Sequence, residues 1–121
     1  LTISISEDGL AAREAVKPFL ATWIGLFSSQ PGHPIFSCPG LPAKDIKPFG
    51  ERLAKGESAT DLVTDWMIDT FTIAGDPEHC RTRLAALVDA GLTCPVPFEV
   101  PNVRPEVTLD AVKTHLMAHF V

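Results

Sequence analysis

The chain has 121 residues and a mass of 13.1 kDa, room for one domain rather than two. With 10 Lys and Arg against 15 Asp and Glu its net charge is −5, and it carries no dense basic run, which excludes the electrostatic footprint of a nucleic-acid partner. Hydrophobic residues are 45% and charged residues 21%, a globular composition, and the apolar stretch from Phe19 to Phe27 is broken by Thr22 and too short to span a membrane.

The opening Leu1-Thr-Ile-Ser-Ile-Ser6 alternates apolar and small polar residues with period two, and Glu7-Asp8-Gly9 supplies turn chemistry, so a strand is expected here. No leader precedes it, and the sequence reads as a piece of a longer polypeptide. From Gly9 to Phe27 apolar residues recur at three- and four-residue spacing, the stripe of a helix, with Pro18 expected to bend it. Segment 28–44 holds four prolines and two glycines up to Pro42 and reads as a long loop, either a lid or binding segment or a disordered one. Helices are expected from Lys44 to Ala54 and from Ser58 to Asp69, and a strand at Phe71 to Ala74.

After Gly75 the pattern is sharper. Asp76 offers an N-cap, Pro77 suits the first helical position, Leu84, Leu87 and Val88 form a buried stripe, and Gly91 closes the helix. Leu92 to Val100 reads as a third strand, restricted in its pairing by Pro95 and Pro97. Asn102 to Pro105 reads as a turn and Thr108 to Phe120 as a final helix. Each strand is followed by helical crossover material, so the strands are expected to run parallel and the sheet to need further strands, from a longer chain or from other copies. Cys38, Cys80 and Cys94 are odd in number and far apart, the pattern of reduced thiols in a cytoplasmic protein.

The run Asp69-Thr-Phe-Thr-Ile-Ala-Gly-Asp-Pro-Glu-His-Cys80, followed by Arg83-Leu-Ala-Ala-Leu-Val-Asp-Ala-Gly-Leu92, resembles the late part of the luciferase-like monooxygenase family. So does the opening Ile3-Ser-Ile-Ser-Glu-Asp-Gly9 with Ala12-Arg13-Glu14-Ala15 and Lys17-Pro18. That family includes flavin-dependent alkanal monooxygenases and deazaflavin-dependent reductases such as methylenetetrahydromethanopterin reductase. The resemblance implies the C-terminal portion, about three βα units with parallel strands, of a TIM-type (β/α)8 barrel in a single partial domain. It touches most of the chain outside Ser28 to Lys44. Asp76 stands where the family usually has threonine, and the Pro-rich loop replaces a segment that is helical in many members.

The implied function is that of the C-terminal segment of a flavin- or deazaflavin-dependent oxidoreductase or monooxygenase. FMN or a deazaflavin would serve the full-length enzyme, with no metal and a small-molecule substrate. The partner of this segment would be the remainder of the barrel or further copies. The ring-holding positions of the family lie mostly on earlier strands, so no catalytic residue carries over. The isolated chain is expected to be inactive, and a non-catalytic oligomerisation or binding module is the alternative.

Barrel enzymes build their sites at the carboxyl ends of strands. The pocket candidates are therefore Ser6, Glu7, Gly75, Asp76, Glu99 and Asn102. The helix start at Gly75 could accept a phosphate, but Asp76 and Glu78 favour plain capping. Asp61, Asp65 and Asp69 recur every four residues and read as a solvated helix face rather than a ligand set. His115 and His119 have zinc-chelating spacing without a third ligand, and His33 with Cys38 in the loop lacks an orienting partner. Trp23 and Trp66 fall on apolar stripes and are expected in the core, with flavin stacking as the other reading.

Overall fold

A computed structural model describes residues 1–101 and 103–120. Contacts divide the chain into two compact units: Leu1–Val16 with the chain from Asp65 onward, and Lys17–Thr64. The division falls within helix α1, Gly9–Ser28, just before its internal Pro18.

In the first unit the alternating opening forms strand β1, Thr2–Ile5, and the second apolar run forms β2, Thr72–Gly75. They pair in parallel, Thr2 opposite Thr72 through to Ile5 opposite Gly75. The parallel arrangement expected from the helical crossovers is thus observed. Alternation turns Ile3 and Ile73 to one face, where they pack with Cys80, Leu84 and Leu116 in a core. Helix α4, Pro77–Asp89, supplies Cys80 and Leu84 from one stripe. It is followed by Gly91 at φ 107°, a conformation that other residues adopt at a cost.

The third expected strand, Leu92 to Val100, is reduced to one parallel bridge between Phe98 and Thr2. Phe98 N donates to the Leu1 carbonyl at 2.7 Å, Ile3 N to the Phe98 carbonyl at 3.0 Å, and Leu1 N to the Val96 carbonyl at 2.8 Å. Pro95 and Pro97 alternate with Val96 and Phe98, so their backbone groups turn away from β1 and these three bonds are left intact.

The last helical stretch begins earlier than expected, at Pro105 rather than Thr108, because proline is well suited to a first turn. Helix α5, Pro105–Val112, passes through a π-turn at Lys113–Met117 into a final turn, Ala118–Phe120. In a regular α-helix, positions four apart drift by about 40° around the axis. The wider π-turn takes up that drift, so buried Thr108, partly buried Val112 and buried Leu116 stay on one side. No described helix is long and apolar enough to cross a membrane.

The second unit is helical. Segment 28–44, expected as a loop, contains a 3₁₀ turn at Pro34–Ser37, capped by His33, before α2, Ala43–Ala54. A further 3₁₀ turn, Thr60–Leu62, is separate from α3, Asp65–Phe71, so the expected helix from Ser58 to Asp69 is broken. Ile46 and Phe49 of α2 are fully buried. Glycines let α1 and α2 approach closely: a Cβ at Gly25 would lie 3.1 Å from the Phe49 carbonyl, and one at Gly50 would run into the Ser28 hydroxyl.

Candidate functional site

The two strand ends of the first unit are built alike. β1 runs into Ser6-Glu7-Asp8, where Asp8 Oδ1 accepts from Ala11 N at 3.1 Å and caps α1. β2 runs into Gly75-Asp76, where Asp76 Oδ1 accepts from His79 N at 2.9 Å and caps α4. Both caps satisfy helix N–H groups that would otherwise lack partners. Ser6 stitches the ends together, its N donating to the Gly75 carbonyl at 3.2 Å while its Oγ accepts from Asp8 N at 3.2 Å.

Between these ends lies an open cleft of about 560 Å³. Gly75 admits the His79 ring, since a Cβ there would sit 2.8 Å from His79 Cδ2. Leu10, 77% exposed, gives the cleft its one large apolar side chain. Its organising group is Arg13. The guanidinium holds Asp69 in two bonds, Nη1 to Oδ1 at 2.7 Å and Nη2 to Oδ2 at 3.3 Å. It also reaches Asp65 Oδ1 at 3.2 Å and donates to the Ala74 carbonyl at 3.3 Å. Arg13 therefore ties the starts of α1 and α3 to the end of β2. Its hydrogen bonds hold the Asp69 carboxyl below the usual carboxylate range, and Asp69 in turn raises the Arg13 pKa.

Two side chains of α4 approach the same aspartate. His79 Nε2 lies 3.4 Å from Asp69 Oδ1, out of line for a hydrogen bond, and Arg83 donates to the Asp69 backbone carbonyl. His115, on the π-turn, stands 4.0 Å from Glu7 Oε1. Cys80 lies in the core below, its thiol pushed up to about 11 by burial. At neutral pH it is a protonated, apolar-like group rather than a nucleophile.

The arrangement does not suit an anionic cofactor tail. The lining carboxylates are Glu7, Asp8, Asp69 and Asp76, against Arg13 and His79. Arg13 is already taken by Asp65 and Asp69, and the N-terminus of α4 by Asp76. Capping, not phosphate binding, is what the Gly75–Asp76 junction does here.

Of the residues expected at the pocket, Glu7, Gly75 and Asp76 line the cleft. Ser6 braces it without lining it, and Glu99 is exposed elsewhere on the surface. Asn102 lies outside the described residues. Arg13, Asp69 and His79 were not picked out as site residues. The only local signal was the Asp65/Asp69 spacing, read as a solvated face, and Arg13 pairs with Asp69 across 56 positions of sequence.

The other sequence candidates resolve locally. Asp61 is on the separate 3₁₀ turn and pairs with Arg52 rather than sharing a face with Asp65 and Asp69. His33 Nδ1 accepts from Ile35 N at 3.1 Å and its ring stacks on Phe27 at 4.2 Å, while the Cys38 thiol turns to the Pro39 carbonyl. Trp23 and Trp66 are each 42% exposed, which corrects their expected place in the core. Trp23 is instead stacked along α1 between Phe19 and Phe27. Among the described residues no three His, Cys, Asp or Glu side chains come together as a metal-binding group.

No family model matches the chain. It is 30% identical over 95 residues to a 5,10-methylenetetrahydromethanopterin reductase of Methanolobus tindarius, covering 74% of this chain and 27% of that protein. A 5,10-methylenetetrahydromethanopterin reductase of Methanopyrus kandleri is 29% identical over 83 residues, 67% of this chain and 24% of the relative. Among solved structures, the coenzyme F420-dependent tetrahydromethanopterin reductase from Methanopyrus kandleri superposes with a TM-score of 0.81 at 28% identity. That match covers 98% of this chain and 33% of the reductase. The fold is thus that of a portion of this reductase's TIM-type β/α barrel, and the chain spans about a quarter of the curated relatives it matches.

Proposed function

From its place among the luciferase-like reductases, we propose that this chain is the C-terminal part of a deazaflavin-dependent oxidoreductase acting on a reduced pterin carrier. The observation that carries the reading is the superposition on an F420-dependent reductase over 98% of the chain at 28% identity. Deazaflavin is favoured over FMN because the matched structure is named for coenzyme F420.

In this reading the deazaflavin supplies the hydride when bound. Its seat lies on parts of the parent enzyme outside this chain, because the strand-end cleft offers no uncommitted cation to an anionic tail. This chain's residues contribute a wall. Asp8 and Asp76 fix the two helix starts, Arg13 locks Asp69 and the end of β2, and Leu10 with the His79 ring gives a partly apolar surface against which a planar substrate ring could rest. The substrate is a small molecule, the partner is the remainder of the barrel, and the compartment is the cytoplasm, where three thiols stay reduced.

The test is to express the complete polypeptide encoded with this segment and follow deazaflavin oxidation by absorbance with a methylene-bearing tetrahydropterin. Turnover with reduced deazaflavin and none with reduced FMN supports the reading. Turnover with FMN alone overturns the cofactor assignment. A complete polypeptide of 13.1 kDa that turns over neither overturns the enzyme reading in favour of a binding module.

A further inference from the structure

From Pro18 to Ala43 the chain carries no Asp, Glu, Lys or Arg, so His33 is the side chain of that stretch suited to gain a charge near neutral pH. It stands at the head of the 3₁₀ turn Pro34–Ser37, and its ring does two things there. One face lies on Phe27 of α1, with centroids 4.2 Å apart and planes 8° from parallel. Its edge caps the turn, Nδ1 accepting from Ile35 N at 3.1 Å.

Neighbouring amides are held by groups that do not titrate. Phe36 N donates to the His33 carbonyl at 3.1 Å, Cys38 N to the Ile35 carbonyl at 3.2 Å and Leu41 N to the Cys38 carbonyl at 3.2 Å, while Pro34 and Pro39 have no N–H to place. Ile35 N donates instead to an imidazole nitrogen, which accepts only while it carries no proton. In the imidazolium both ring nitrogens are donors, so Nδ1–H and the Ile35 N–H would point at each other. The bond and the charge exclude one another. The Phe27 face attracts the ring in either state, since a cation over an aromatic face is also favoured, so protonation removes the cap and leaves the stack. The Ile35 side chain is 6% exposed, and its amide regains a partner only as the turn opens to water.

No ion pair competes with this exchange. α1 from Pro18 onward and the turn itself are uncharged, and the Cys38 thiol is turned to the Pro39 carbonyl at 3.8 Å. Of the charged residues on α2, Lys44, Asp45, Lys47, Glu51 and Arg52, none pairs with His33 among the described residues.

We propose that His33 is a pH-sensitive latch on the Pro-rich segment: neutral, it holds the Pro34–Ser37 turn closed at Ile35, and protonated, it releases it. The inference uses bonds within Lys17–Thr64 and is independent of the proposed catalytic role.

The experiment is amide hydrogen exchange at pH 8 and pH 5 on the complete polypeptide encoded with this segment, read as protection against the intrinsic rate at each pH and resolved to Ile35 by fragmentation. The samples are the native protein, H33N, whose amide oxygen can accept from the same N–H without titrating, and H33F, which keeps a ring on Phe27 but no acceptor. In the native protein Ile35 protection is expected to fall about fivefold from pH 8 to pH 5, the fold-change of a lost cap. Ile24, buried in α1, should not change. H33N should hold Ile35 protected at both pH values and H33F at neither. Equal native protection of Ile35 at the two pH values overturns the proposal. So does a fall shared by H33N, because another group then titrates, or one shared by Ile24, because the unit then opens as a whole. H33F as protected as the native protein at pH 8 overturns it too, since the ring nitrogen is then not what holds the amide. Should a variant fail to fold, exchange of the His33 ring C2 hydrogen in the native protein decides: a midpoint that coincides with the loss at Ile35 supports the latch, and one that does not overturns it.

Discussion

The two units of this chain are held by different physics. In Lys17–Thr64 the core is apolar and steric, with Ile46 and Phe49 buried to about 1% or less and glycines where α1 and α2 come into van der Waals contact, and the Arg52–Asp61 pair lies exposed outside it. The unit of Leu1–Val16 and Asp65 onward has an apolar core of its own, but its strand ends are knitted by charge, with one arginine serving two aspartates and a backbone carbonyl. Apolar packing has no charge for pH to titrate or for salt to screen, whereas the clasp is open to both effects. A barrel-derived segment thus keeps its scaffold and its strand-end surface under separate control.

The largest effect should come from the packed unit. Phe49→Ala removes a ring 1% exposed, and the lost transfer energy plus the cavity left behind predict a loss of about 3–5 kcal/mol. Hydrogen exchange should locate it first in peptides from Lys17–Thr64. Equal early exposure of peptides from both units would break the comparison.

Arg13→Ala should cost less, about 2 kcal/mol, between the values for exposed and for buried pairs, because Arg13 is 17% and Asp69 42% exposed. The loss belongs to peptides around α3 and β2. Its pH dependence sharpens the point. Asp69 is held below the usual carboxylate range by the Arg13 hydrogen bonds, so its contribution is fully present above the unfolded carboxylate pKa of about 3.9. It is lost as pH falls through the lower folded value. Urea unfolding should therefore show the native chain's advantage over R13A shrinking below pH 4. An advantage constant from pH 7 to pH 2 would mean that the arginine acts through its hydrocarbon stem instead.

The same division explains what was legible in the sequence. β1, the cap at Asp76, the proline at position 77 and the glycine at 91 were readable because each rests on neighbours in sequence. The single bridge at Phe98 was half readable: prolines restrict pairing, but only the observed register shows that they face outward. The clasp was not legible, because Asp69 meets Arg13 across 56 positions and the helix expected to align Asp61 with Asp65 and Asp69 is interrupted after Leu62. Trp23 and Trp66 misled for a related reason. A helical stripe records which residues are apolar, not how far the covering layer extends, and both rings lie at its margin.

The smallest effect tests the cleft locally. Asp76→Ala removes the oxygen that accepts from His79 N at 2.9 Å, a cap worth about 1 kcal/mol. Asp76→Asn should keep most of that stability, since an amide oxygen caps nearly as well, while deleting one negative charge from the cleft. The pair separates the two roles of the residue. If D76N unfolds with D76A, the carboxylate acts through charge on the α4 dipole and not as a hydrogen-bond acceptor. If D76N is as stable as the native chain and, like it, retains no inorganic phosphate by calorimetry, the amide oxygen still fills the helix start and Glu7, Asp8 and Asp69 keep anions out of the cleft. That outcome is expected, because the Asp76 side chain is bonded directly to the first turn of α4 and an amide oxygen can make the same bond; phosphate retained by D76N alone would assign the closure to charge at position 76.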